Sequence, residues 1–322
     1  MRWIGYPTFF GVLIAGSWAL FTNPMGPVSA PESLRRADPA RLERDVDWLA
    51  SLAPARSVDH PDSLSRAADY IEKQWQQTGL TVERQELVAL GHPYTNLVAS
   101  WGPPAAEHLV IGAHYDVYGD YPGADDNASG VAGLLELGRL LSGERWRNTR
   151  VDLVAFTLEE PPFFATDSMG SAVHARSLAD HGAKVLGMIS LEMIGYFSDE
   201  PGSQSYPLPV LRFFYPSAGN FIAVSSDLAD WGFVRRVKRA MRQSTRLPVL
   251  SFNGPRWLTG VDWSDHRNYW RYGWPAAMVT DSAFYRNRAY HTAGDTAQRL
   301  DFRRLAQVIE GVAGLVVSSD QR

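Results

Sequence analysis

The sequence predicts an α/β fold, with a mixed, mostly parallel central sheet flanked by helices on both faces. Three observations lead there. Strand-like and helix-like segments alternate along the chain, the pattern of a sheet layered between helices. Several strand candidates, such as "LVIGA" (109–113) and "VDLVAF" (151–156), are apolar on nearly every residue, as strands buried on both faces are. Histidines and carboxylates then collect just after the ends of those strands. The 322 residues, 45% hydrophobic and 20% charged, are enough for one large core.

Taken in order, residues 1–22 read as a signal peptide or an N-terminal membrane anchor. Arg2 precedes an uncharged, mostly apolar run from Trp3 to Phe21, close to the ~20 residues that span a bilayer. Val28-Ser29-Ala30 has the small-residue pattern of a cleavage site, although Pro31 follows. The expected location is outside the cytoplasm: periplasmic, secreted, or membrane-anchored with the folded part exported. Residues 23–40, rich in proline and small residues, read as a linker. Residues 41–322 form a single domain.

Two helices open that domain. Leu42, Val46, Leu49 and Leu52 recur at helical spacing, and residues 63–80 do the same with a stop at Gly79. Strands are expected at 81–89, 95–101, 108–116, 150–160, 185–195, 211–216, 220–226 and 276–283. Helices are expected at 128–141, 168–181, 228–246 and 302–318.

Composition narrows the chemistry. There is no cysteine, which excludes disulfides, thiolate metal sites and a cysteine nucleophile, so any metal is held by histidine and carboxylate. A net charge of -4 and a pI near 6.1 argue against nucleic acid as a partner.

Ligands of open α/β sheets bind outside the carboxyl ends of the strands. His114 and Asp116 end one apolar strand, Glu159 and Glu160 end another, Glu192 closes a third, and His291 lies in the loop "YHTAGDT". Imidazole with carboxylate suits zinc, manganese or cobalt. A two-metal site with a bridging carboxylate and two terminal ligands per ion needs five side chains. The candidates supply five and leave one glutamate over.

The combination "HYD…PGADDNASG…LEE…LEM…YHT" resembles the co-catalytic zinc aminopeptidase family of the bacterial leucine aminopeptidase type, over roughly residues 41–318. That family also includes glutamate carboxypeptidase-like proteins and glutaminyl cyclases. The resemblance implies a zinc exopeptidase-like, phosphorylase/hydrolase-like architecture and two divalent metal ions, of which zinc is the expectation. It implies that His114 binds one metal, that Asp126 bridges both, that Glu160 completes the first site, and that Glu192 and His291 complete the second. The family often has aspartate where Glu192 stands. Glu159 is then the general base acting on a metal-bridging water. The implied activity is removal of N-terminal residues from peptide substrates. The alternatives are a glutaminyl-peptide cyclotransferase with one zinc, or a non-catalytic domain of the same fold. A cis bond between Asp126 and Asn127 is also implied.

Other expectations concern the surroundings. Asp116, on the same side of an extended chain as His114, is expected to accept the far ring N–H of His114. Asp295 could do the same for His291 or cap the following segment. Asp265, His266 and Tyr285 either touch substrate or pack beside the pocket. Asn127 or Ser129 is expected to cap the helix at 128–141, Asp125 to shape the turn, and Asp120 to be solvated. His174 and His181 are expected at the surface. The basic stretch 235–246 reads as a solvated helix face, or one that touches anionic lipid near an anchor. The proline- and glycine-rich loop 198–209 is expected at the pocket edge.

Overall fold

A computed structural model describes residues 16–28 and 35–321. The expectations for residues 1–15, and for the cleavage pattern at 29–31, lie largely outside the described residues. Residues 16–22 are helical, and no helix among the described residues is long and apolar enough to cross a membrane.

Helix α1 (Pro39–Ala50) starts where the Asp38 side chain accepts the N–H of Ala40 and proline takes the first position. Its Leu42, Val46 and Leu49 are fully buried, each contributing roughly 1.5–3 kcal/mol. Helix α2 (Pro61–Gln76) follows, burying Leu64, Ala67, Ala68, Ile71 and Trp75. Next come β1 (Val82–Ala89), β2 (His92–Trp101), β3 (Glu107–His114), α3 (Gly130–Leu141), β4 (Thr149–Phe156), α4 (Gly170–Asp180) and β5 (Val185–Glu192). The second half holds β6 (Ile222–Asp227), α5 (Trp231–Ser244), β7 (Val249–Gly254), β8 (Ala276–Thr280) and α6 (Phe302–Asp320).

All eight strands join one sheet in the order β1-β2-β4-β3-β5-β8-β6-β7. β3 pairs in parallel with β4 and with β5, β5 with β8, and β6 with β7. β1 with β2, β2 with β4, and β6 with β8 are antiparallel. Side chains alternate across the sheet. Leu109, Ile111 and Ala113 enter the larger core with Leu134, Trp75 and Ile309, whereas Val110 enters a second core with Val154, Met188, Tyr269 and Trp270. The unbroken apolar runs thus feed two cores, one on each face.

Two expectations fail. Residues 211–216 are not a strand. Pro209 starts a 3-10 helix (Pro209–Phe213) whose Phe213 is left 86% exposed. The edge strand is instead β7, whose Val249, Ser251 and Asn253 are buried and alternate with half-buried Leu250 and Phe252, a half-sided pattern that local composition does not single out. The linker expected at 23–40 is also only partly one. Asn23 is fully buried against the domain.

Candidate active site

Sheet order brings the chemistry together. β3 sits between β4 and β5, so His114 at the end of β3, Glu192 at the end of β5, and Glu159 and Glu160 just beyond β4 converge at one edge. Between β3 and α3 the chain passes through a tight turn over Ala124–Ser129, where the Asp126-Asn127 bond is cis. Gly123 is needed before it. Its φ is +57°, and a Cβ there would lie 2.3 Å from the Asp126 carbonyl oxygen.

Asp126 is the hinge of the arrangement. Its Oδ1 lies 3.3 Å from Nε2 of His114, and its Oδ2 lies 3.0 Å from Nε2 of His291. His114 Nε2 is also 3.4 Å from Oε2 of Glu192. His291 Nε2 is 3.2 Å from Oε1 of Glu160. The pairing therefore differs from the expected one: Glu192 belongs with His114, and Glu160 with His291. The cause is the sheet, because β3 and β5 are neighbours and deliver His114 and Glu192 side by side.

Glu159, one residue before Glu160, shares a group with Glu160 and His114, their ligand atoms within 4.8 Å of one another. Its Oε2 is 3.9 Å from His114 Nε2, and it belongs to neither group that contains Asp126.

Charge at the site is strongly frustrated. Burial pushes Glu160 up to about 7, with the Asp126 charge adding to it. Burial likewise drives Glu159 well above the usual carboxylate range. Burial also opposes the charged form of Asp126, but the adjacent His114 and His291 imidazoles prevail and hold it below the ordinary range. Burial disfavours a charged His291 too, yet Asp126 and Glu160 raise it to about 10. The carboxylates thus favour a cation at this point, whether a protonated imidazole or a bound metal ion.

The residues fit a pair of divalent ions. Among the described residues, His114 with Asp126 and Glu192, and Asp126 with Glu160 and His291, each bring their ligand atoms within 4.8 Å of one another. Oε1 of Glu160 and Nε2 of His291 are buried without a well-formed hydrogen bond. Imidazole and carboxylate are the donor set of catalytic zinc.

Neighbouring groups fix these side chains. The far ring nitrogen of His114 meets the backbone carbonyl of Asp116 at 3.2 Å, with the Asp116 carboxylate 3.5 Å away. That carboxylate instead accepts the N–H groups of Glu159 and Glu160, at 3.1 and 3.0 Å, so Asp116 orders the glutamate pair more directly than it orders the ring. Asp295 neither contacts His291 nor caps a helix. It accepts the backbone N–H groups of Asp125 and Asp126, both at 3.0 Å. Asp125 accepts from Gly195 N–H and the Asn287 amide, and Asn127 Oδ1 accepts the N–H of Gly130 at the start of α3. The Asp120 side chain is exposed, as expected.

The remaining candidates divide. Asp265 is fully buried, with its carboxylate oxygens unpartnered behind the site. His266 does not reach the pocket: Nε2 meets the Val261 carbonyl at 2.8 Å and the ring packs on Trp270. Tyr285 lines the pocket. His174 is a correction as well. It is buried, with Nδ1 2.7 Å from the Tyr269 hydroxyl, because α4 turns that face toward the second core. His181 is exposed.

Several contributors escaped the sequence reading. Tyr118 and Tyr290 sandwich the His291 ring at centroid distances of 4.2 and 3.8 Å. The Ser264 hydroxyl donates to Glu192 Oε2 at 2.8 Å. The buried Arg56 guanidinium holds the carbonyls of Pro122 and Gly123 below the turn. The tyrosines adjoin "YHT" and "HYD" in sequence, which was the one available signal; Ser264 and Arg56 carried none.

A cavity of about 880 Å³, including its mouth, opens beside the metal-ligand cluster, with Glu192 among its lining residues. Its walls are mostly apolar and aromatic, among them Tyr206, Phe221, Trp263, Met278, Phe284 and Tyr290. Gln204 to Pro207, from the loop expected at the pocket edge, form part of the rim.

Comparison with known proteins bears on the family and the fold. The model of peptidase family M28 matches residues 96–316. The uncharacterized protein YfbL of Escherichia coli (strain K12) is 48% identical over 297 residues, covering 90% of this chain and 91% of that protein. Leucine aminopeptidase 1 of Coccidioides posadasii is 29% identical over 214 residues, or 62% of this chain, which spans about half of that relative (49%). The LapA aminopeptidase of Legionella pneumophila shares the fold with a TM-score of 0.71 at 19% identity, covering 89% of this chain and 73% of that one.

Proposed function

The chain belongs to peptidase family M28, a family of metallopeptidases, and we propose that it is a two-metal aminopeptidase releasing N-terminal residues from peptides. One observation carries the reading: Asp126 stands between two imidazoles with one oxygen toward each, and each imidazole has its own second carboxylate.

Two divalent ions held by His114, Asp126, Glu160, Glu192 and His291 would supply Lewis acidity toward the scissile carbonyl and acidify water there. Zinc suits the donors. Glu159, which belongs to neither group that contains Asp126, would take the proton of the attacking water at Oε2 and return it to the leaving amine. The apolar cavity would receive the adjoining side chain and exclude water. The apolar N-terminal run and the lack of cysteine support an exported enzyme acting on exported peptides.

The test counts bound metal in purified protein, then assays aminoacyl-amide hydrolysis and glutaminyl-peptide cyclisation for wild type and Glu159→Gln. Two ions per chain, with hydrolysis lost in the variant, support the proposal. One ion with cyclisation, or unchanged hydrolysis in Glu159→Gln, overturns it.

A further inference from the structure

Sequence composition treats everything before residue 40 as leader and tether, yet residues 21–24 are built into the domain. Thr22 and Asn23 are 8% and 0% exposed. The ammonium of Lys238 on α5 is buried, and it donates to the carbonyls of Thr22 and Asn23 and to the Ser251 hydroxyl, at 2.9, 3.1 and 3.2 Å. Ser251 in turn donates to the Thr22 carbonyl at 2.9 Å. Arg235 holds the Asn23 side chain and the Pro24 carbonyl at 2.9 and 2.8 Å, while the Asn23 amide donates to the Trp231 carbonyl. Phe21 stacks on Phe252, and the Tyr215 hydroxyl reaches the carbonyls of Phe21 and Ser251.

Ser251, Phe252 and Tyr215 are also walls of the apolar cavity that Glu192 lines. The strap therefore grips the outside of residues whose other side faces the cavity. Two of the three acceptors of the Lys238 ammonium belong to residues 22 and 23, so the contact is specific to this segment.

We propose that residues 21–24 are a retained strap of the catalytic domain, positioning Ser251, Phe252 and Tyr215 so that the cavity keeps the shape that receives a large apolar substrate group. The strap's role in specificity rests on the aminopeptidase reading; its role in holding the fold does not. A consequence for processing follows. Cleavage after Ala30 would discard the strap, so the apolar segment ahead of it stays attached and the cavity lies close to where that segment emerges.

The experiment compares the full chain in detergent with a form lacking residues 1–25, each with Lys238 or Lys238→Met. Deletion is expected to lower the urea midpoint when Lys238 is present. Lys238→Met should lower the midpoint of the full chain and move that of the shortened chain much less, because the partners of the ammonium are then already gone. KM for a phenylalanyl amide should rise ~10-fold on deletion, the scale of a lost apolar contact, with kcat for an alanyl amide changed less than twofold. Intact mass of the protein recovered from an exporting bacterial host should show a chain beginning ahead of Phe21. A mature chain starting after Ala30, or a deletion that moves neither the urea midpoint nor the ratio of KM values, overturns the strap. If the full chain hydrolyses no aminoacyl amide, the functional reading fails and the urea measurements decide the strap alone.

Discussion

The ring of Tyr118 lies parallel to that of His291, 4.2 Å between centroids and 6° between planes. His291 comes from a loop and has a left-handed φ of 55°, so no strand or helix fixes its direction. The clamp between Tyr118 and Tyr290 supplies that direction instead. Replacing Tyr118 with alanine is expected to weaken the ion held by His291 and Glu160 ~10-fold, in line with other losses of ligand support. Tyr118→Phe keeps the stack and should stay near wild type. Competition with a chelator, followed for both variants, measures this; equal affinities for Tyr118→Ala and wild type would refute the clamp.

Asp126 and Asp120 belong to the same run of sequence and have opposite roles. Asp126 faces both imidazoles, whereas Asp120 is exposed and accepts one N–H, from Ala55. Asp126→Asn should abolish binding of both ions, and Asp120→Asn should leave the metal count unchanged. Metal analysis of the two purified variants decides the point, and similar counts in both would contradict the bridge.

Asp295 anchors the turn rather than a ligand. Its carboxylate accepts two buried backbone N–H groups, those of Asp125 and Asp126. Asp295→Ala leaves both donors unpaired, at about 1–3 kcal/mol each. A total loss of roughly 2–6 kcal/mol should appear in urea unfolding of the metal-free protein. A loss under ~0.5 kcal/mol, the range of ordinary surface changes, would mean that the turn holds itself.

His174 makes the fold acid-sensitive. Burial lowers its pKa from 6.5 to about 4, so the ring is neutral in the folded state at pH 7. Between about 6.5 and 4 the unfolded chain binds a proton that the folded chain does not. Stability from this group is therefore full above 6.5 and falls as pH drops through that window, by about 3 kcal/mol in all. Buried carboxyls such as Asp265, raised to about 7 by burial, act in the opposite sense. The measurement is therefore the difference in stability between wild type and His174→Gln at pH 7 and pH 4.5. That difference should shrink at the lower pH, and a constant difference would argue against a neutral buried ring.

Candidate donors were legible in the sequence because a metal site without cysteine needs histidine and carboxylate and strand ends mark where they gather, while the ligand set and the role of the leftover glutamate came from the family resemblance. The layered fold was legible for a similar reason: "LVIGA" can be buried on both faces only in the middle of a sheet. Edge strand β7 was not, since a half-exposed six-residue segment has little pattern of its own.

By itself, then, the amino-acid sequence determined the donor types, their order along the chain and the two-sided burial of the central strands, all of which depend on local composition. Tertiary structure alone decided which carboxylate faces which imidazole, because that depends on β3 lying beside β5. It also decided that His174 is buried and His266 is turned from the pocket, through the packing of the second core. The most distant decision concerns Asn23, which contacts α5 more than two hundred residues later in the chain. No window of sequence contains both partners, so only the folded chain brings Asn23 against α5.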